Sequence, residues 1–332
     1  MREEFLPYAQ AWIDDDEIQE VVDTLQSGWL SLGPKVKKFE QMLCEYLNVD
    51  YAVAVNSCTA ALFLSLVALK IGDGDEVITT PFTFAATANV IIQVGAKPIF
   101  VDIRTDTYNI DEEKILDAIT PKTKAIIPVH YGGQPCEMKA IMEIAEDHNL
   151  YVIEDAAHAL GAEYEGRKIG SIGDVTCFSF YPTKSITTGE GGAVTTNDRE
   201  LAEKIRVLRL HGMDKDAWAR YSSVGSWYYE VRECGFKENM TDIQASIGIH
   251  QLKKLDKFIE IRRRYAKIYN EMLDGLSGVI TPVEMPNVKH VYHIYPILLT
   301  KFDRDLFIQE MRKRKIGCSV HYIPLHLHPY CN

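Results

Sequence analysis

The stretch Tyr51-Ala-Val-Ala-Val55-Asn-Ser57-Cys58-Thr59-Ala60-Ala61-Leu62 passes from a short, wholly apolar strand through a polar turn into a helix. The same unit recurs downstream: apolar runs at 51–55, 76–80, 98–102, 125–129 and 151–154 alternate with helical stretches at 59–70, 84–94, 111–119 and 137–148. A strand that is apolar along its whole length, rather than at every second residue, is covered by helices on both faces. The pattern therefore predicts an α/β fold built on a large, doubly wound, mostly parallel sheet. Ligands of such sheets bind beyond the carboxyl ends of the strands. Two amphipathic helices precede the sheet, one opened by Asp14-Asp-Asp-Glu17 and closed by Gly28, the other started by Pro34. From Thr241 to about Leu273 the chain reads as one long helix or two in tandem, with Arg262-Arg-Arg264 on a solvated face. Tyr292–Thr300, a helix over 304–314 and Cys318–His321 then make a small α+β unit. The division expected is a large domain over 1–250 and a small C-terminal domain over 251–332.

Composition narrows the function. Lys and Arg total 36 against 47 Asp and Glu, a net charge of −11 with no long block of one sign, which makes nucleic acid a poor partner. An anionic substrate would need its own local positive site. The start, Met1-Arg-Glu-Glu-Phe-Leu-Pro-Tyr8, has no basic segment followed by an apolar run, and the most apolar stretch, Ala60–Ile71, is broken by Ser65 and Lys70. A cytoplasmic protein with no membrane segment is expected. Seven cysteines without paired spacing read as reduced thiols. His321, His326 and His328 fit no common ligand spacing, so no metal is expected.

The chemistry concentrates in Cys177-Phe-Ser179-Phe-Tyr181-Pro-Thr-Lys184-Ser-Ile-Thr-Thr-Gly-Glu-Gly-Gly192. Here a lysine leaves an apolar, aromatic strand and enters a turn rich in hydroxyls and glycines. Alone, such a lysine more often covers a strand end. Desolvation, however, drives an amine toward its neutral form, which attacks carbonyls to give a Schiff base, the chemistry of a pyridoxal 5'-phosphate (PLP) lysine. A PLP site also needs an acid on the pyridine nitrogen, a phosphate cradle and a stacking surface. Each has a candidate at a strand end. The cradle is the Asn56-Ser57-Cys58-Thr59 turn, where helix N-terminal amides and the helix dipole suit a dianion; Ser57 or Thr59 also reads as a plain helix cap. The acid is Asp155 in Tyr151-Val-Ile-Glu154-Asp155-Ala-Ala-His158, because a carboxylate after a buried strand needs a cation and a protonated pyridine nitrogen is one. Strand alternation sends Glu154 and Asp155 to opposite faces, so one of them serves. His158, one helical turn on, reads as a partner of the ring hydroxyl or as a satisfied core group. The stacking surface lies in Thr79-Thr-Pro-Phe82-Thr-Phe84-Ala-Ala-Thr87, whose aromatics otherwise read as core. Ser179 shares a face with Tyr181 and offers the phosphate a hydroxyl.

These residues belong to a longer ordered series that includes Ser27-Gly-Trp29-Leu-Ser-Leu-Gly33-Pro34, Leu210-His-Gly-Met213, Asn239-Met-Thr-Asp-Ile-Gln244 and Val320-His321-Tyr-Ile-Pro-Leu-His326. In them the chain resembles the DegT/DnrJ/StrS family of PLP-dependent sugar aminotransferases over nearly its whole length. The resemblance implies a type I aminotransferase fold and a homodimer with active sites shared between subunits. It implies that Lys184 forms the imine with the cofactor, Asp155 binds the pyridine nitrogen, His158 approaches the ring oxygen and Phe84 stacks on the ring. Ser57 and Thr59, with Cys58 between them, and Ser179 would hold the phosphate. Where the family has an asparagine reaching the neighbouring subunit's phosphate, this chain has Lys237, with Asn239 two residues on; either could make the contact. Tyr8, Trp29 and His321 are substrate-side candidates, Tyr8 and Trp29 reading equally as core packing. The activity implied is transfer of an amino group from L-glutamate, through pyridoxamine 5'-phosphate (PMP), to a keto group on a nucleotide-linked sugar in amino-sugar biosynthesis. The motif from Leu210 to Tyr221 points to a 4-keto sugar. The alternatives are a PMP-dependent sugar dehydratase, whose members replace the lysine by histidine, and a non-catalytic regulator that retains the fold. Relatives also run on past His328-Pro-Tyr330, so the small domain is expected to be incomplete.

Overall fold

The computed structural model describes residues 3–214 and 227–331. Asp14 and Glu17 cap each other reciprocally to start α1 (Asp15–Ser27), and Gly28 closes it in the left-handed conformation at φ 73°. Pro34 takes the first position of α2 (Pro34–Leu47), whose buried Val36, Phe39, Leu43 and Leu47 recur at helical spacing. The alternating region follows as β1 (Tyr51–Val55), α3 (Cys58–Ala68), β2 (Glu76–Thr79), α4 (Ala85–Gln93), β3 (Lys97–Phe100), α5 (Ile115–Ala118) and β4 (Thr123–Ile126). It continues through α6 (Met138–His148), β5 (Tyr151–Asp155), the short β6 (Glu163–Tyr164) and β7 (Arg167–Lys168), β8 (Val175–Ser179), β9 (Gly192–Thr196) and α7 (Arg199–Leu208).

Seven strands form one sheet in the order β1-β9-β8-β5-β4-β2-β3. β9 runs antiparallel to both its neighbours; the remaining adjacent pairs are parallel. Strand alternation feeds two separate cores. Val152 and Phe178 point into the one that holds Phe39, Leu43 and Ile141, while their neighbours Ile153 and Cys177 point into the one that holds Leu62, Leu64 and Val90. Each such fully buried side chain stabilises the fold by about 1.5–3 kcal/mol. This is a doubly wound, mostly parallel sheet with helices on both faces.

Thr241 and Gln244 form the capping box of α8 (Asp242–Leu273), a single helix of 32 residues that runs across residue 250. Beyond it lie β10 (Val279–Ile280), β11 (Val288–Lys289), β12 (Leu298–Leu299) and α9 (Arg304–Lys313). β10 pairs with β12, whereas β11 pairs with β6. The amino-terminal segment crosses over to this region: Leu6 N–H donates to Lys315 O at 2.9 Å and Gly317 N–H to Leu6 O at 2.8 Å.

Several expected elements differ. The helix over 111–119 is a three-ten turn at Glu112–Lys114 followed by the one-turn α5. The strand expected over Tyr292–Thr300 shrinks to β12, because Tyr292 takes a positive φ of 46° that no strand accommodates. Cys318–His321 has no regular structure. Arg262 and Arg263 are not on a solvated face; Arg262 donates to His293 O at 2.8 Å and Arg263 to His290 O at 2.6 Å, so α8 grips the loop before β12. No helix among the described residues is long and apolar enough to cross a membrane.

Candidate active site

β1, β5 and β8 are parallel, so their carboxyl ends bring the turn at Asn56–Thr59, the segment Asp155–His158 and the segment Ser179–Lys184 to one edge of the sheet. At β5 the two acids separate as alternation requires. Glu154 is enclosed by His130 Nε2 at 2.8 Å, Thr176 Oγ1 at 2.7 Å and Gly173 N–H at 2.8 Å. Burial works to raise its pKa, and those partners outweigh it and hold the carboxyl below its ordinary value. Asp155, 6% exposed, has thinner support: Thr87 Oγ1 donates to Oδ2 at 2.8 Å and Ala157 N–H to Oδ1 at 3.2 Å. Burial wins there and raises its pKa, with Thr87, Ala157 and the charge of Lys184 pulling the other way. Asp155 is thus a buried acid whose hydrogen bonds do not offset its burial.

Lys184 ends a tight turn, its N–H donating to Tyr181 O at 2.9 Å. Burial lowers its pKa against the opposing charges of Cys58 and Asp155. It lines a cleft of about 470 Å³ between the amino-terminal segment Leu6–Trp12, α8 and the loop Tyr292–Tyr295. Buried His158 accepts from Gly132 N–H at Nδ1, 3.3 Å away, which leaves the proton on Nε2, 3.0 Å from the Tyr322 hydroxyl. Burial, then the charge of Lys184, holds its pKa well below the histidine range.

Ser57 caps α3 by accepting from Ala60 N–H at 3.0 Å. Buried Cys58 directs Sγ to Cys177 O at 3.6 Å, and Thr59 is exposed on the same turn. Gly192 pairs in register with both Val55 and Ser179; a Cβ there would lie 2.5 Å from Ser57 C and 2.6 Å from Cys58 N. Ser179 Oγ accepts from Tyr181 N–H at 3.4 Å. Phe84 stands at the start of α4, 62% exposed, its ring 6.2 Å from that of Tyr322. Tyr8 stacks on His321 at 5.3 Å, and Tyr131 donates its hydroxyl to His321 O. Trp29 lies elsewhere, over Gly33, with its indole N–H donating to Leu32 O at 3.2 Å. Asn56 N–H donates to Glu238 O at 2.8 Å, which sets exposed Lys237 and buried Asn239 beside the cradle; Lys237 Nζ donates to Asn239 Oδ1 at 2.5 Å. Residues 215–221 of the motif that pointed to a 4-keto sugar lie outside the described residues.

Sequence reasoning passed over Thr87, Tyr322, His293 and Arg262. Thr87 and Tyr322 stood inside quoted motifs, and alternation on β5 could have asked what Asp155 meets. His293 and Arg262 carried no local signal.

The DegT/DnrJ/EryC1/StrS aminotransferase family profile matches residues 11–332. The chain belongs to the DegT/DnrJ/EryC1/StrS aminotransferase family. It is 53% identical to the spore coat polysaccharide biosynthesis protein SpsC of Bacillus subtilis, over 99% of this chain and 86% of SpsC. Spr1654 of Streptococcus pneumoniae, a candidate sugar aminotransferase solved in PMP and PLP forms, superposes in its PMP form with a TM-score of 0.92 at 37% identity, covering 98% of this chain and 87% of that one. PseC of Helicobacter pylori, an aminotransferase in the biosynthesis of pseudoaminic acid, superposes with a TM-score of 0.91 at 34% identity, covering 99% and 87%. The protein is a PLP-dependent sugar aminotransferase. Its residues fit that cofactor: an acid short of a cation, a desolvated amine within reach of its charge, and a turn over Gly192 that any Cβ would fill.

Proposed function

We propose that this aminotransferase moves the amino group of L-glutamate to the keto carbon of a nucleotide-linked sugar, with a 4-keto sugar as acceptor, in amino-sugar biosynthesis. The observation that carries the reading is that parallel β5 and β8 deliver buried Asp155 and the Lys184 turn to one edge of the sheet, beside the Ser57–Cys58 turn that Gly192 holds close. SpsC and PseC, named for the biosynthesis of a polysaccharide and of pseudoaminic acid, support a sugar as acceptor. Bound PLP supplies an electron sink for the bond broken at the substrate carbon.

The chain's own residues do the rest. Lys184 would anchor the cofactor and, as a free base, would take and return the substrate proton at its Nζ. Asp155 keeps the pyridine nitrogen protonated. His158, neutral with its proton on Nε2, would hold the ring oxygen, and exposed Phe84 would serve as the stacking surface. Ser57, Cys58 and Thr59 of the cradle turn, and Ser179, hold the phosphate. Tyr8 and His321 bound the acceptor side. Trp29 stays a substrate-side residue or a packing residue over Gly33, and in a homodimer exposed Lys237, whose Nζ donates to Asn239 Oδ1, would be the group of that pair to reach the neighbouring phosphate. A cytoplasmic homodimer, with the large domain ending near residue 250, completes the proposal.

Two measurements test it. The purified protein should absorb in the visible and lose that band on addition of L-glutamate, and a panel of UDP- and dTDP-linked 3-keto and 4-keto sugars should restore it selectively. Borohydride-treated protein with no cofactor mass on the Lys184 peptide would overturn the central assignment.

A further inference from the structure

Three polar groups lining the Lys184 cleft lack a counterpart in the chain. His293, 6% exposed, leaves Nδ1 without a hydrogen-bond partner, and Ser185, also 6% exposed, leaves Oγ without one. Buried polar atoms left unpaired are rare in folded proteins and call for a ligand or a role. Arg262 spends Nη1 on the carbonyls of His293, at 2.8 Å, and Tyr292, at 3.5 Å. Carbonyls neutralise none of its charge, and among the described residues no carboxylate pairs with it. The Tyr8 hydroxyl is close, but burial pushes its pKa up to about 12, so it stays neutral and supplies no counter-charge. A partly buried guanidinium without an anion, in a chain carrying a net charge of −11, is a site waiting for one.

The position says which anion. Lys184, Ser185, Arg262 and His293 line one cleft, the ring of His293 lies 4.4 Å from that of His158, and Arg262 holds the His293 carbonyl at 2.8 Å. An amino donor presents its nitrogen-bearing carbon to Lys184, and its carboxylate is bonded to that carbon. The diphosphate of a nucleotide sugar sits a whole sugar ring away from its keto carbon. A guanidinium lining the same cleft as Lys184 matches the carboxylate, and its planar fork suits it.

We infer that Arg262, His293 and Ser185 form the carboxylate subsite for the amino donor, an α-amino dicarboxylic acid. The inference rests on the aminotransferase reading above. Donor titrations without sugar test it. The visible band of the cofactor-loaded wild type, Arg262→Gln, Arg262→Lys and Ser185→Ala proteins is followed against L-glutamate. The heat of binding of glutarate, which has no amino group to give, is measured alongside. R262Q should raise the half-saturating L-glutamate concentration on the order of 100-fold, the loss of a hydrogen bond to a charged group. R262K should recover part of that, S185A should give a smaller shift, and glutarate binding should weaken in the same order. The sugar half-reaction should keep its half-saturating concentration. If R262Q does not fold, S185A and the glutarate heats carry the test. Wild-type donor curves in the variants would remove the subsite and leave the aminotransferase reading standing. A shift confined to the sugar nucleotide would give the cation to a diphosphate and overturn the subsite as well. A wild-type band that no amino acid bleaches would remove both.

Discussion

Replacing Thr87 by valine deletes one hydroxyl, keeps the side-chain shape and isolates the electrostatics of Asp155. Thr87 Oγ1 donates to Asp155 Oδ2 at 2.8 Å, and Thr83 Oγ1, 2.8 Å from Thr87 Oγ1, backs it up. A hydrogen bond to a charged group contributes about 1.5–3 kcal/mol, equivalent to about 1–2 pH units of pKa. The donor favours the ionised carboxylate, so its loss moves the Asp155 pKa further in the direction burial already drives it, upward. With a folded pKa above the ordinary carboxylate value, the apo-protein loses stability as pH rises from that value through the folded pKa. Thr87→Val should deepen that loss and leave the acid end unchanged. The ionised form is the one that holds the pyridine proton, so the acid limb of PLP affinity should move up by about 1–2 pH units. Titration of the apo-protein with PLP across pH, read in the visible, measures the limb, and thermal melts over the same range measure the stability. An acid limb identical to the wild type, in a folded variant, would refute the argument.

Lys184→Ala should abolish turnover while keeping the melting temperature near that of the wild type; residual amino transfer would sink its assigned role. Gly192→Ala places a Cβ against backbone atoms of Ser57 and Cys58 that cannot rotate away. We expect a cost of about 1–3 kcal/mol, seen as a lower melting temperature and weaker PLP binding, and an unchanged melt would disprove the close approach. His158 should stay neutral through the pH range where histidines usually titrate, because burial and then Lys184 hold its pKa well below it. Nitrogen NMR showing a doubly protonated ring near neutral pH would contradict this. Asp242, 1% exposed, accepts from Gly33 N–H at 2.9 Å, Lys35 N–H at 3.1 Å and Val36 N–H at 3.0 Å. Asp242→Ala strands those donors at the start of α2 and should cost about 3 kcal/mol or more in urea unfolding; a loss several-fold smaller would contradict the cap.

The sheet was legible because its strands are buried on both faces and carry that fact in their own composition. β1, β2 and β5 fall where the apolar runs stand, within a residue or two. β9 went unread: it opens on Gly192, continues as Ala-Val-Thr-Thr, and slots antiparallel between β1 and β8, a placement no local pattern encodes. The loop at His290–Tyr295 misled for the opposite reason. Its apolar and aromatic run suggests a strand, but its backbone carbonyls are spent on Arg262 and Arg263, and the Val291 and Ile294 N–H groups donate to Gly133 O and Gly132 O. The strand-end residues of the site follow from the sheet, since β1, β5 and β8 must deliver Ser57, Asp155 and Lys184 to one edge. Thr87 and Arg262 approach from separate helices, and only the fold brings them in.

Burial favours the neutral form of both groups at the centre of the site, lowering the pKa of the Lys184 amine and raising that of the Asp155 acid. In the proposed roles, the first outcome serves catalysis and the second must be resisted, because a free amine would carry the proton while a charged carboxylate would keep it on the ring. The chain answers through unequal hydrogen bonding. Asp155 receives Thr87 Oγ1 and Ala157 N–H, whereas no hydrogen bond to Lys184 Nζ occurs among the described residues, and only the charges of Cys58 and Asp155 favour its ionised form. Polar support is given to the acid and withheld from the amine at one buried edge of the sheet. That asymmetry separates Lys184 from a lysine that merely covers a strand end, and it ties its role to Thr87, the residue that donates to the acid.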